Sequence, residues 1–162
     1  MSESYRFGRS GFGGWLLLLV VAQVGQLILS SMAAVSALAS SGSLVARGGV
    51  LMLLFETVGN AGCAVMAGYV LKLMLNRSPD FPSVMPRVWI ATCAFVVFEP
   101  GMLALLRGAP VEGAYSLPVL AVCVVDAVCT AAWIGYVHCS ERVGNTFEHA
   151  NAPTSSGVAA RA

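Results

Sequence analysis

The sequence predicts an all-α protein, a four-helix transmembrane bundle. The chain of 162 residues is 57% hydrophobic and only 10% charged, whereas a soluble domain carries about 25% charged residues. Four long apolar runs, separated by short polar loops, account for this composition. So short a chain cannot bury that much apolar surface in one soluble core, and we therefore expect the lipid bilayer to surround it.

The domain organisation follows from where the apolar runs lie. Residues 1–148 are predicted to form a single integral membrane domain, and residues 149–162, rich in Ala, Ser, Thr and Gly, are predicted to be a disordered tail. The predicted helices cover about 14–39, 49–75, 87–107 and 116–138.

The first apolar run begins at Trp15, an aromatic residue of the kind found at membrane interfaces. Gln23 and Gln26 lie inside the run and are expected to find hydrogen-bond partners within the bundle. The run ends in Ala-Leu-Ala at 37–39, which together with the basic lead resembles a signal peptide and its cleavage site. A retained helix is favoured, because the apolar part of a signal peptide has only roughly 7–15 residues.

The second run carries Glu56 well inside its ends. A carboxylate at such a depth costs roughly 2.5–3.5 kcal/mol on insertion scales, so it needs a partner or a function. Asn60 and Cys63 follow at i+4 and i+7 and share its helix face, beside glycines that allow close helix approach. The stripe is interpreted first as a packed seam, because a metal site without histidine is poorly supported.

The third run contains Glu99, followed directly by Pro100 and Gly101. Proline removes a backbone N–H and clashes with the preceding turn, so a helix break is predicted at Pro100 and Gly101. A simple kink is the favoured form of this break. The alternative is a discontinuous helix that exposes its backbone groups to a substrate, as in transporters.

The segment after the fourth run, 138–149, is predicted to form an interfacial collar. Val143 and Phe147, four residues apart, would make the apolar side of a short helix in the interface. Interfacial anchoring is the simpler interpretation, and docking onto a partner is the alternative. The residues assigned to this collar are Trp133, Tyr136, Arg142 and Phe147.

Positive charge predicts the orientation of the bundle. Seven Lys and Arg residues lie in the N-terminal lead, in or beside the 76–87 loop, or in the tail, whereas the other two loops hold only Arg47 and Arg107. Because positive residues mark the cytoplasmic side, both termini are predicted to be cytoplasmic.

The main candidate site is an intramembrane acidic cluster of Glu56, Glu99 and Asp126. Counted from the outer ends of their helices, all three lie roughly 11–15 Å deep at 1.5 Å per residue, with no Lys or Arg at that level. Such a cluster can form a proton relay or a cation site. The favoured alternative is a set of neutral acids that bridge helices, because crowded carboxyl groups in an apolar setting disfavour one another's charge. The supporting polar residues would then be Asn60, Gln23, Gln26 and Thr130.

The sequence supports no enzyme, cofactor, metal or nucleic-acid assignment. Both histidines lie in the collar, and there is no nucleophile elbow, phosphate-binding loop or dinucleotide fingerprint. The five cysteines include no CxxC pair, which argues against a disulfide framework and a structural zinc site. A net charge of +1 provides no basic surface for nucleic acid.

Several motifs together resemble a known family. They are GFGGWLLL at 11–18, the Glu56 and Asn60 pair, RSPDFP at 77–82 and WIGYVHCSERVGNTF at 133–147. Over roughly residues 8–148 the chain resembles the YdgK-like family of small bacterial inner-membrane proteins, a domain of unknown function with four predicted helices. The resemblance implies a multi-pass protein of the bacterial inner membrane and implies no activity.

Two functions stay open at this point. The favoured one is a non-catalytic scaffold or accessory membrane subunit with buried neutral acids, which predicts an unidentified membrane protein partner. The alternative is a small proton- or cation-coupled transporter that uses the acidic cluster. The alternative predicts a homo-oligomer, because four helices enclose little cavity of their own.

Overall fold

The computed structural model describes residues 14–148, which form four long α-helices with no β-strand among them. Each helix contains a span long and apolar enough to cross a membrane, and helices adjacent in the chain pack against each other. The predicted all-α four-helix transmembrane bundle is thereby confirmed. The tail predicted to be disordered, 149–162, lies outside the described residues. The four helices are α1 (Trp15–Ala39), α2 (Ser41–Leu75), α3 (Phe81–Leu106) and α4 (Leu117–Cys139).

Most of the surface of each span is not covered by protein. The buried share of the residues ranges from 11% in α4 to 22% in α3, and side chains such as Val65 and Leu117 are largely exposed. Apolar surface on this scale is unfavourable in water, whereas lipid chains cover it without cost. The pattern of exposure is therefore that of a small bundle surrounded by lipid.

The connection between α1 and α2 is shorter than the sequence predicts. A loop is expected at 40–47, but Ser40 alone separates the two helices, and residues 41–48 are helical. The chain then turns at Gly49, whose φ of 73° lies in the left-handed region that glycine enters without steric cost. The membrane span of α2 still begins at Gly49, as predicted.

α3 begins earlier and stays helical further than the sequence predicts. It starts at Phe81 rather than near 87, with Pro82 in its first turn, where the missing N–H would have no helical partner in any case. α3 continues through Pro100 and Gly101 to Leu106, so the alternative of a discontinuous helix is not found. The favoured form of the predicted break, a kink within a continuous helix, stays a prediction.

Side chains from two other elements contact the turn of α3 that the proline weakens. Pro100 has no N–H to donate to Val96 O, and Cys123 Sγ of α4 lies 4.0 Å from that oxygen. The hydroxyl of Tyr115, in the linker between α3 and α4, donates to the next carbonyl, Val97 O, at 2.9 Å. The Cys123 thiol therefore lies next to the carbonyl that lacks its helical donor, and the Tyr115 hydroxyl ties the linker to the same turn.

A cluster of buried apolar side chains lies at the end of the bundle where α1 and α3 begin and α2 and α4 end. We call this region the closed end. Phe81 and Phe147 are fully buried there, with ring centroids 4.4 Å apart. Its core includes Leu16, Leu19, Val70, Phe81, Val137 and Phe147.

The collar folds back into the closed end. It consists of a single helical turn, α5 (Glu141–Val143), and a π-helical segment, Gly144–Glu148. Val143 is 1% exposed and Phe147 is 0% exposed. The apolar side of the collar therefore packs on the protein itself, which corrects the prediction that these two residues anchor it in the interface.

The aromatic part of the collar stays at the surface. Trp133 and Tyr136 are partly buried, with ring centroids 6.0 Å apart, and Trp133 packs edge-on at 6.4 Å from Trp89 of α3. These rings tie the end of α4 to α3. The side chain of Arg142, also assigned to the collar, lies outside the described part of the structure.

Candidate functional site

Two of the three predicted acids face each other across the α2–α3 contact. The carboxyl group of Glu99 lies close enough to Glu56 for charge repulsion between them, and it interacts with the side chain of Asn60. Asn60 Nδ2 also donates to Glu56 O at 2.9 Å within α2. Cys63, on the same face of α2, lies within electrostatic reach of Glu99. We call Glu56 and Glu99 the carboxyl pair.

The depth of the carboxyl pair follows from its place on the two helices. Glu56 lies seven residues after the start of its span at Gly49, and Glu99 lies seven residues before the end of α3 at Leu106. At 1.5 Å per residue, both lie about 10 Å from the same end of the bundle. That end is opposite to the closed end.

A glycine allows α2 and α3 to approach beside the carboxyl pair. A Cβ built at Gly59 would overlap the ring of Phe95, so only glycine leaves room for the ring. Phe95 also packs against Phe55 of α2, with ring centroids 5.6 Å apart. This aromatic contact holds the two helices in the register that brings their acids together.

Glu99 also lines an open cleft. The cleft has a volume of about 480 Å³ and lies between the last turns of α3 and the linker, where Leu103, Arg107 and Pro110 contribute to its walls. Glu99 is partly buried, whereas Arg107, which follows the last residue of α3, is exposed. The acid therefore lies at the inner part of the cleft and the guanidinium near its rim.

The wall of the cleft is held in place by the linker. The linker contains a 3-10 helix, Val111–Ala114, that packs against α3. Tyr115 follows this helix, and its hydroxyl donates to Val97 O. Gly101 makes the approach possible, since a Cβ there would stand 2.8 Å from Tyr115 Oη. The cleft is therefore a formed feature of the fold.

Asp126 lies at a separate contact, between α3 and α4. It interacts with Cys93, which also contacts Thr130. Cys93 precedes Glu99 by six residues on α3, which places the two about 9 Å apart along the axis and on different sides of the helix. Among residues 14–148, Oδ2 of Asp126 is buried without a hydrogen-bond partner. The structure thus groups Glu56 with Glu99 and places Asp126 elsewhere.

The two predicted glutamines belong to the other half of the bundle. Gln23 is fully buried, its Nε2 donates to Ala67 O at 3.1 Å, and its Oε1 accepts from Trp89 Nε1 at 2.8 Å. These bonds join α1, α2 and α3, and we call them the Gln23 layer. Ala67 and Trp89 lie about 15 Å along the axis from Glu56 and Glu99, so Gln23 links helices without contacting the carboxyl pair. Gln26 is partly buried one turn further along α1.

Sequence reasoning missed the residues that shape the cleft. Arg107 was counted only as a loop charge, although it lies little more than two turns after Glu99, about 80° around the helix axis from it. Tyr115 stands in a polar linker, where no periodicity marks a packed side chain. Phe95 is one of many apolar residues in α3, and only its contact with Gly59 distinguishes it.

Across the described residues, no group of three or more His, Cys, Asp or Glu side chains is placed to hold a metal ion. The carboxyl pair provides two oxygen ligands from two helices, with the Asn60 amide beside them. Two carboxyl groups and an amide suit a proton or a weakly held cation better than a tightly bound metal.

Comparisons with curated proteins and with solved structures find no match. A family model described as a protein of unknown function, DUF2569, matches residues 9–148. This range includes all four helices, the carboxyl pair, the cleft and the collar up to its last described residue. The chain therefore belongs to the DUF2569 family of proteins of unknown function.

Proposed function

We propose that this protein is a small, non-catalytic membrane transporter that couples movement of its substrate to binding of a proton or a cation at the carboxyl pair. One observation carries the proposal: Glu99 faces Glu56 inside the span and also lines an open cleft. A Glu99 with a purely structural role would need the contact with Glu56 but no access to a cleft.

The carboxyl pair favours the binding of a positive charge. Two carboxylates that face each other in an apolar setting repel, and a shared proton or a bound cation relieves this repulsion. Acids inside membrane spans commonly mark ion or proton pathways. The cleft supplies a route to the pair from one end of the bundle.

The closed end supports one-sided access. Phe81 and Phe147 pack fully buried at the end opposite to the cleft, and the Gln23 layer links three helices above them. A site open on one side and closed on the other corresponds to one state of an alternating-access cycle. In the orientation that positive charge predicts, with both termini cytoplasmic, the cleft opens away from the cytoplasm.

The resemblance to YdgK-like proteins supports the bacterial inner membrane as the location. A cation gradient across that membrane would then drive the cycle. A homo-oligomer is part of the proposal, because four helices enclose little cavity of their own.

A second function is supported by α4. Only 11% of its span is buried, and Val122, Val125 and Val128 are each more than half exposed. A helix so little covered offers a surface to another membrane protein, as a scaffold or accessory subunit would. In this function the carboxyl pair serves only to link α2 and α3.

Flux into sealed proteoliposomes separates the two functions. Wild type would be compared with Glu56→Gln and Glu99→Gln under an imposed potential, with proton, Na⁺ and K⁺ uptake measured in turn. Glu112→Gln is the matched control, because Glu112 is exposed in the linker outside the spans.

The transporter proposal predicts uptake of one cation by wild type and by the control. It predicts at least a tenfold loss of that uptake in both carboxyl-pair variants, with helicity and thermal unfolding unchanged. If wild type passes no cation, or if the variants pass as much as wild type, the carboxyl pair is not a pathway, and the accessory-subunit function is favoured instead.

A further inference from the structure

The cleft beside Glu99 has the dimensions and composition of a binding site for a small molecule. Its volume is about 480 Å³, within the range of roughly 300–1,000 Å³ typical of ligand pockets. Its walls are mostly apolar, with Pro100, Leu103 and Ala104 on α3 and Pro110 in the linker. Apolar walls with a few placed polar groups are characteristic of ligand sites.

The two charged residues that line the cleft have opposite signs. Glu99 is partly buried and Arg107 is exposed. They lie about 12 Å apart along the axis of α3 at 1.5 Å per residue. Their long side chains reduce the gap, and the step of eight residues separates them by about 80° around the helix axis. A ligand in the cleft therefore meets an anionic group at its inner end and a cationic group near the rim.

We propose that the cleft binds a zwitterionic small molecule, with its ammonium group at Glu99 and its carboxylate or phosphate group at Arg107. Carboxylates bind ammonium groups by charge-assisted hydrogen bonds, and guanidinium groups bind carboxylate and phosphate with two parallel bonds. This inference rests on the proposed function for the role of Glu99, and it names the substrate class. The apolar walls would receive the uncharged part of the ligand.

The linker makes the site preformed. Tyr115 donates to Val97 O, and the absence of a side chain at Gly101 lets the tyrosine hydroxyl reach α3. The wall that carries Pro110 is thereby fastened to the helix that carries both charges. A preformed site loses less conformational freedom on binding than one that must be ordered by its ligand.

The same zwitterionic chemistry is offered by two sources. A free amino acid reaches the cleft from water, whereas the headgroup of phosphatidylethanolamine reaches it from the bilayer, since the cleft lies at the ends of the spans. The amino acid and the lipid headgroup each carry an ammonium group close to a carboxylate or phosphate group. The experiment therefore tests each source separately.

The test uses the full chain in nanodiscs made only of phosphatidylglycerol, a lipid without an ammonium group. In the first arm, binding of leucine is measured by calorimetry beside methylamine and acetate, which carry one charge each. In the second arm, dihexanoyl phosphatidylethanolamine is compared with dihexanoyl phosphatidylglycerol. Binding in one arm only identifies the source as water or the bilayer.

Three variants locate the site. Glu99→Gln and Arg107→Gln are each expected to weaken binding of the zwitterion at least tenfold, and Glu112→Gln is the control that leaves binding unchanged. Arg107 is exposed, so its substitution leaves the fold intact and keeps the test decisive. Tyr115→Phe is expected to weaken binding by a smaller factor, because it loosens the wall without removing a charge.

Three outcomes would overturn the inference. They are the absence of binding in both arms, binding of methylamine as tight as that of the zwitterion, and affinity unchanged in Arg107→Gln. The inference and the proposed function fail separately. If no zwitterion binds while wild type takes up a cation and Glu56→Gln does not, only the inference fails. If the zwitterion binds in an Arg107-dependent manner while wild type takes up no cation, only the proposed function fails.

Discussion

Replacement of Gln23 by methionine tests the Gln23 layer. Methionine has nearly the volume and flexibility of glutamine but lacks its amide, so Gln23→Met removes two interhelical hydrogen bonds without leaving a cavity. The bonds are Gln23 Nε2 to Ala67 O at 3.1 Å and Trp89 Nε1 to Gln23 Oε1 at 2.8 Å. Both lie among buried side chains, where no water replaces a lost partner.

The expected loss of stability follows from the fate of each partner. An interhelical hydrogen bond in a membrane protein contributes on average about 0.6 and at most about 1.7 kcal/mol. Ala67 O remains within the hydrogen-bond ladder of α2, whereas the indole N–H of Trp89 is left unpaired in an apolar setting, at a cost of about 1–3 kcal/mol. We therefore expect Gln23→Met to lower the free energy of unfolding by about 1–3 kcal/mol.

A double-mutant cycle with Trp89→Phe isolates the indole bond. Unfolding is followed by circular dichroism in mixed micelles of increasing denaturing-detergent content, for wild type, both single variants and the double variant. The coupling energy is expected to be about 0.6–1.7 kcal/mol. Gln26→Met, at a partly buried position on the same helix, is the control and should change stability by less than about 0.5 kcal/mol. A coupling energy near zero would refute the assignment of this hydrogen bond as a link between α1 and α3.

Two further substitutions test the packing of the bundle. Gly59→Ala places a methyl group where the Phe95 ring lies and should destabilise the protein by about 1–3 kcal/mol. Gly62→Ala is the control, because there is open space at its Cβ position. It should not destabilise the protein in the same unfolding titration. Equal stability of the two alanine variants would contradict the close contact of α2 and α3. Phe147→Ala removes a fully buried ring from its contact with Phe81. It should lower the free energy of unfolding by about 3–5 kcal/mol. A decrease below about 1 kcal/mol would mean that the collar is not part of the core.

The four spans could be predicted from the sequence, because apolar length alone determines them. The ends of the helices could not, because local features decide them. The span of α2 begins at Gly49 as predicted, but a helical segment, 41–48, precedes the turn at Gly49 where a loop is expected. Pro100 does not interrupt α3, and Cys123 Sγ of α4 lies 4.0 Å from Val96 O, the carbonyl that the proline leaves without a helical donor.

The depth of two of the acidic residues in the membrane was predictable from the sequence, but the neighbouring helix that each acid faces was not. Glu56 and Glu99 lie at equal distances from one end of the bundle, which the positions of their runs imply. Asp126 was assigned to the same level because its depth was counted from the start of α4. The structure instead places Asp126 beside Cys93, six residues before Glu99 on α3. The angular position of each acid around its helix depends on tertiary packing, which the hydropathy of the runs does not encode.

The distribution of partners along the chain implies an order of assembly. Synthesis delivers the N-terminal helices first, so the hairpin of α1 and α2 can form the bond from Gln23 to Ala67 O while Trp89 is still to be inserted. The side-chain oxygen of Gln23, Oε1, is then still without its partner. It accepts the hydrogen bond from Trp89 Nε1 when α3 inserts. Phe81 stays uncovered until Phe147, more than sixty residues later, reaches it. A chain interrupted within α4 would therefore expose the ring of Phe81 at the closed end, and the core there is completed only when the collar has been synthesised.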